Sequence, residues 1–313
     1  MFQKGIKIGG VETRSNVFLA PLAGYTNFPM RLLCKEYGAG LCFTEMISAK
    51  GLKYGNENTR ELLYTDAREG VAAVQLFGSD PAILRLACES DDLKHFPIVD
   101  INMGCPVPKI YRNGEGSALL ENPALAEEIV RECKKSGKEI TVKFRIGVDA
   151  NHLVTTEFAK RMEGAGASLI TIHGRTKDKV YAGDVNTEEI KKAVEAVKIP
   201  VIANGGVFSL EEGKALLEAT GAAGIMIARA ALFDPQLFCD FSGVAREGKR
   251  AMFYRQMKET AAIFDERFTV VFMRKMAAFY VKGERGAAAF KDRLFQAQTI
   301  EAILSIVDEI WAE

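Results

Sequence analysis

Short runs of aliphatic and β-branched residues recur along the first three quarters of the chain, and longer stretches with helical spacing separate most of them. Eight runs have the length and composition of buried strands: residues 17–20, 41–45, 71–77, 98–102, 140–145, 168–173, 200–204 and 224–228. Residues 28–37, 80–89, 122–136, 155–164, 187–197 and 210–219 carry the helical patterns, and several open on Ser, Asp, Asn or Thr and close on Lys or Gly. Ahead of the first run, Gly9-Gly10 marks a hairpin. Eight alternating units within about 240 residues match an α/β fold of the (β/α)8 (TIM) barrel type in number and length. A doubly wound open sheet is the alternative, but it seldom reaches eight regular repeats. No Gly-x-Gly-x-x-Gly follows the first run, and no Walker-type Gly-Lys-Ser/Thr occurs. Beyond residue 245 only helical patterns remain, at 249–265, 268–281, 287–296 and 299–311. The expected organisation is a barrel over residues 1–244 followed by a small helical bundle over 245–313.

Alternation within the runs assigns faces, because the outer face of a barrel strand must be apolar to pack under helices. Ile140, Val142 and Phe144 form one such face, so Lys143 and Arg145 point inward. The same reasoning turns His173 inward against Ile170 and Ile172, Gln75 inward between Val74 and Leu76, and Asn102 inward after Val99 and Ile101. Asn204 and Glu45 stand at the last predicted positions of their strands. The polar groups therefore collect at the C-terminal rim, where barrel enzymes keep their chemistry. A buried ammonium at Lys143 needs an anionic partner or must lose its charge. Three arrangements would satisfy it: a bound anionic cofactor, Glu45, or a neutral lysine acting as a Schiff-base nucleophile. After the last two strands, Gly205-Gly206 and Ala228-Arg229 combine small residues with a guanidinium at the usual phosphate site of this fold. The fourth run breaks at Gly104-Cys105-Pro106, which places a thiol at the tip of a turn.

Composition narrows the partners. Lys+Arg and Asp+Glu both number 41, so any surface that grips a polyanion has to be local. The six cysteines form neither a Cys-x-x-Cys pair nor a Cys/His cluster, which argues against zinc and against a disulfide framework and suits a reducing cytoplasm. The N-terminus lacks an apolar signal core and no long apolar run interrupts the chain, so no membrane partner is expected.

These residues resemble the tRNA-dihydrouridine synthases, a family of FMN-dependent enzymes. The matching pieces are Ala20-Pro21-Leu22-Ala23-Gly24-Tyr25-Thr26-Asn27, the Gln75 strand, Asp100-Ile101-Asn102-Met103-Gly104-Cys105-Pro106, Arg112-Asn113-Gly114, Thr141-Val142-Lys143 and Thr171-Ile172-His173-Gly174-Arg175-Thr176. Ala203-Asn204-Gly205 and Met226-Ile227-Ala228-Arg229 continue the series, and Phe272-Met273-Arg274-Lys275 with Tyr280-Val281-Lys282-Gly283 resemble the family's C-terminal helical domain. The resemblance implies that Pro21, Leu22 and Ala23 line the flavin and that Gln75 and Lys143 bond its pyrimidine edge. It also implies that His173 reaches the ring or ribityl chain, and that Asn204, Gly205, Gly206, Ala228 and Arg229 hold the phosphate. The sequence departs from the family pattern at Gly206 (usually Asp), Ala228 (often Gly) and Met276 (usually His).

On that reading the reaction saturates the 5,6 double bond of uridine in tRNA. Hydride from flavin N5 to C6 leaves enolate character toward C5, and Cys105, a thiol mostly protonated at neutral pH, supplies the proton. NADPH or NADH would reduce the flavin transiently. Asn102 and Arg145 would position the uracil, with Arg175 beside them, and residues 107–117, carrying Lys109 and Arg112, are expected to form a mobile lid. Between residues 246 and 293 twelve Lys/Arg face six Asp/Glu, a local excess of six that predicts a grip on the RNA backbone including Arg274, Lys275 and Lys282. Tyr181, Phe253 and Tyr280 read as core or rim residues rather than stacking platforms. A monomer without metal is expected. The alternatives are a small-molecule FMN dehydrogenase of the dihydroorotate kind, a Lys143 Schiff-base aldolase, and a non-catalytic RNA-binding factor.

Overall fold

The computed structural model describes residues 2–311; Met1 and the last two residues of the predicted bundle domain lie outside them. Two short strands, β1 (Lys7–Ile8) and β2 (Val11–Glu12), pair antiparallel as the predicted hairpin, with Gly9 at φ 56° supplying the left-handed turn residue. Eight strands follow: β3 (Val17–Leu19), β4 (Leu41–Ser48), β5 (Ala73–Phe77), β6 (Ile98–Met103), β7 (Glu139–Arg145), β8 (Leu169–His173), β9 (Val201–Asn204) and β10 (Gly224–Ile227). They pair parallel in sequence order and close between β10 and β3. Closure removes both sheet edges and leaves every strand covered on its outer face by helices.

Two apolar layers result. Leu19, Val74, Leu76, Val99, Ile101, Ile140, Val142, Phe144, Ile170 and Ile172 pack outward under the helices. Inside, Phe18, Leu41, Phe43, Ala73, Ile98, Leu169, Ile202 and Met226 fill the lower barrel together with Ile6 and Ile8 of the hairpin. The hairpin thus stoppers the N-terminal end of the barrel. Lys143, His173, Gln75 and Asn102 all belong to the inward set, as the alternation predicts.

The second barrel strand departs from expectation. β4 runs three residues beyond the predicted end, and its register to β5 slips between Phe43 and Met46. Thr44 Oγ1 bridges this bulge, accepting from Gln75 N (3.1 Å) and donating to Glu45 O (2.8 Å).

Four helices complete the chain: Lys249–Ile263, Glu266–Tyr280, Ala287–Gln296 and Ile300–Ile310. They pack on one another around Phe253, Met273, Met276, Tyr280, Leu294, Ile303 and Val307. Phe253 and Tyr280 are core residues, and Met276 is fully buried among them. The 266–280 helix lies along the barrel mouth, where Lys275 Nζ donates to Gly24 O (3.1 Å) and sits 4.7 Å from the Tyr25 ring centroid. No described helix is long and apolar enough to cross a membrane.

Candidate active site

The mouth is built from strand ends that differ in charge. Pairing sets Lys143 of β7 between Asn102 of β6 and Thr171 of β8, one pleat above Asp100 and Thr141. Burial, and then the neighbouring Arg145, pull the Lys143 ammonium down to about 8, against the attraction of Asp100 and the Cys105 thiolate. Asp100 is completely buried, and desolvation lifts its carboxyl to about 6 despite hydrogen bonds from Gln75 and Thr141 and the nearby Lys143 charge. Asp100 is therefore the carboxylate under Lys143, a partner outside the three arrangements weighed from the sequence. Glu45 is not that partner. The bulge turns its carboxylate to the rim, where it accepts from Gly24 N and faces the Lys275 charge, while burial raises its own carboxyl.

The charges that act on His173 above this layer are all positive. His173 is held neutral far below its ordinary value, first by burial and then by Lys143, Arg145, Arg175 and Arg229 in turn. Arg145 is clamped by Gly104 O (2.9 Å, from Nε) and Thr176 O (3.1 Å, from Nη1). Arg175 Nε donates to Gly183 O (2.9 Å), and its Nη1 lies 3.3 Å from His173 Nε2. Burial lowers both guanidinium groups. Four cations converging on one neutral imidazole are costly unless an anion completes the site. Beside Lys143 the fully buried Thr171 hydroxyl has no partner, a further polar group pointing to a ligand.

Backbone shape agrees with the charge. Gly205 and Gly206 lie at φ 122° and 73°, and a Cβ on Gly205 would stand 2.9 Å from Val185 Cγ2 and 3.0 Å from His173 Cδ2. Only glycine lets the chain after β9 fold this close over the mouth. Asn204 does less than expected with its side chain, because Nδ2 is tied to Met226 O (2.8 Å). Arg229, after β10, lies under the Tyr181 ring at 4.3 Å. Tyr181 is 51% exposed and sits on the rim, following Val180, the one described non-glycine residue at positive φ (49°).

Cys105 is the one described cysteine that is not buried. Burial raises its thiol, opposed by the Val107 N–H, Arg145 and Lys143. Asn102 holds the turn that carries it, with Oδ1 accepting from Cys105 N (2.9 Å) and Gly104 N (3.2 Å). The expected lid is folded as a helix, Pro108–Arg112, and a 3-10 turn, Gly116–Glu121. Ser117 donates to Cys105 O from both N (3.1 Å) and Oγ (2.9 Å), which ties the far end of the segment to the thiol turn. Lys109 and Arg112 project from that helix into solvent. Pro21, Leu22 and Ala23 form the loop after β3, closed by Thr26 N on Leu22 O (3.1 Å).

The Dihydrouridine synthase (Dus) family model matches residues 18–310. Among curated relatives, the probable tRNA-dihydrouridine synthase 1 of Synechocystis sp. is 34% identical, with 99% of this chain and 90% of that protein covered. The tRNA-dihydrouridine synthase B of Vibrio parahaemolyticus is 33% identical over 93% of this chain and 94% of its own. The chain belongs to the dihydrouridine synthase family. It is accordingly a flavin-dependent oxidoreductase, which sets aside the aldolase and the non-catalytic alternatives. Solved structures share the fold: histamine dehydrogenase from Rhizobium sp. 4-9 has a TM-score of 0.60 at 13% identity, covering 82% of this chain and 50% of that longer one. A variant of NCR from Zymomonas mobilis has a TM-score of 0.55 at 15% identity, covering 78% and 92%.

The residues of this dihydrouridine synthase fit a flavin on three counts: four mouth cations for an anionic group, a glycine pair that admits close approach, and polar side chains lining one wall. Lys143, His173, Arg145, Arg175, Arg229, Gly205, Gly206, Gln75 and Asn102 converge on one mouth. The helical-domain residues do not form one cluster. Lys275 reaches the rim, Arg274 Nη1 donates to the carbonyl oxygens of Phe295 (3.3 Å) and Ala297 (3.4 Å), and Lys282 lies over the Phe233 ring at 4.1 Å. Arg246, Lys249, Arg250, Arg255 and Arg293 are held in ion pairs, so the predicted cationic excess is partly neutralised within the fold. Asp100, absent from the predicted site, could have been found by the alternation that placed Asn102, since both occupy the inward positions of β6.

Proposed function

We propose that this enzyme reduces the 5,6 double bond of uridines in tRNA to dihydrouridine, with FMN as its flavin and NADPH or NADH as a transient reductant. The observation that carries the reading is the placement of one partly exposed thiol, Cys105, on a turn over a cation-lined barrel mouth. When bound, the flavin supplies the hydride. The chain's own residues do the rest. Arg229 with the Gly205-Gly206 backbone holds the phosphate, Lys143 and Gln75 hold the polar edge of the ring, and neutral His173 donates or accepts one hydrogen bond beside it. Pro21, Leu22 and Ala23 cover the ring from the β3 loop. Arg145 and Asn102 orient the uracil, with Arg175 beside them, and Cys105 Sγ delivers the proton to C5. A thiol raised by burial stays protonated above neutral pH, so the donor form is lost, and turnover falls, only as pH rises through that raised value. Residues 1–244 form the catalytic domain of a cytoplasmic monomer. The 245–313 bundle grips the tRNA through Lys275 at the rim and through Arg274 and Lys282 elsewhere on the bundle, with Lys109 and Arg112 adding exposed charge on the helix after the thiol turn.

The test is Cys105→Ala, assayed with tRNA and followed by nucleoside mass spectrometry. Flavin content stays normal and dihydrouridine formation falls about 10²- to 10⁴-fold, the range for loss of a positioned acid. Wild-type turnover in that variant removes Cys105 from the mechanism. Colourless protein that takes up no added FMN removes the cofactor assignment.

A further inference from the structure

Asp100 stands at the head of a hydrogen-bonded relay that ends on the catalytic turn. Thr141 Oγ1 donates to its Oδ1 (2.6 Å) and Gln75 Nε2 to its Oδ2 (2.7 Å). Gln75 Oε1 then accepts from Asn102 Nδ2 (2.8 Å), and Asn102 Oδ1 accepts from Cys105 N (2.9 Å). Asp100, Gln75 and Thr141 are at most 1% exposed, so water does not compete for these groups. An amide side chain can bond in either of two orientations, whereas an ionised carboxylate only accepts. Asp100 therefore compels Gln75 to present its NH₂, which leaves Gln75 Oε1 to meet the NH₂ of Asn102 and Asn102 Oδ1 to meet the Cys105 and Gly104 N–H groups, the orientation that those two donors also require. One buried charge, through Gln75 on the neighbouring strand, thus favours the same direction of two amides as the N–H groups of the turn that ends its own strand.

We propose that Asp100 is a positioning residue for the reduction, acting through Gln75 and Asn102 to hold the Cys105 turn in one geometry. This rests on the reading of Cys105 as proton donor, but its test does not use turnover. With asparagine at position 100 the Thr141 hydroxyl can donate or accept, so the relay is no longer fixed at its buried end and is directed only by the N–H groups of Gly104 and Cys105. Directed from one end only, the hydrogen bonds from Asn102 to the turn weaken. An exchange, Asp100→Asn with Gln75→Glu, moves the carboxylate one step along the relay without changing side-chain size. The new carboxylate accepts from both neighbouring amides, so Asn102 again presents Oδ1 to Cys105 N.

The experiment is alkylation of the flavin-free protein with iodoacetamide, read by mass spectrometry at each cysteine. The five other cysteines are buried and report general opening of the fold. Weakening of these bonds by on the order of 1 kcal/mol corresponds to about fivefold faster labelling of Cys105 in D100N relative to the buried thiols. The D100N/Q75E exchange returns that ratio to within about twofold of wild type, whereas a merely structural role for Asp100 predicts that the doubly substituted protein is at least as perturbed as D100N. An unchanged Cys105 ratio in D100N, parallel acceleration of all six thiols, or an exchange that restores nothing overturns the inference. An active Cys105→Ala enzyme would overturn the protonation role instead and leave the labelling result untouched.

Discussion

Replacing Lys143 with methionine should stabilise the flavin-free enzyme while weakening its hold on flavin. A lysine whose ammonium is lowered from the ordinary 10.5 to about 8 carries a penalty in its charged form. At ~1.4 kcal/mol for each tenfold step that penalty is about 3 kcal/mol, and the side chain's partial exposure to the mouth reduces it to roughly 2 kcal/mol. The sign follows from proton counting. Between about pH 8 and 10.5 the unfolded chain holds a proton on this lysine that the folded chain has released, so stability rises with pH across that window. Below it the penalty is present in full. Lys143→Met should therefore be about 2 kcal/mol more stable than the parent at pH 7 in urea unfolding of the flavin-free protein, with the gain shrinking toward zero near pH 10. Asp100 loses a favourable neighbour in the variant, which trims the gain at pH 7 without changing its direction. In the same variant flavin binding should weaken at least about tenfold, the effect of removing one hydrogen bond from a charged group. A variant less stable than the parent at pH 7, or a gain independent of pH, would refute the placement of a desolvated cation in the barrel.

Three further outcomes follow from other parts of the molecule. Gly205→Ala sets a Cβ 2.9 Å from Val185 Cγ2 at φ 122°; flavin content measured by absorbance should drop about tenfold as the strained turn shifts, while the circular dichroism stays native. Glu69→Gln leaves the fully buried Arg31 without its charged partner, at present bonded through Nε (2.6 Å) and Nη2 (3.0 Å). Unfolding in urea should show a loss of about 3–5 kcal/mol, and a loss below ~1 kcal/mol would contradict the pair's role in anchoring Thr26 O and Tyr64 O. Lys275→Ala should lower the salt dependence of tRNA binding by about one ion, whereas Lys249→Ala, whose ammonium is paired with Glu284 (2.7 Å), should leave the slope unchanged. Equal effects from the two would show that rim placement does not matter.

By itself the sequence determined the eight strands, their parallel order and the inward set at the mouth. Alternation is a local property, and Ile140, Val142 and Phe144 can be buried on only one side of their strand. That single constraint turned Lys143 and Arg145 inward before any partner was visible. It also located Cys105, because the break at Gly104 and Pro106 is written in adjacent residues. Pairing between strands was decided only by the tertiary structure. Which carboxylate lies under Lys143 depends on the register of β6 against β7, which sets Asp100 beside Thr141, and on the bulge that carries Glu45 to the rim. The charge of the bundle shows the same limit. Counting residues predicted a basic surface, but whether a given Lys or Arg is free depends on carboxylates distant in sequence, such as Glu36 for Arg255 and Asp308 for Arg250. Facing is set by neighbours along the chain, and partnership by neighbours across it.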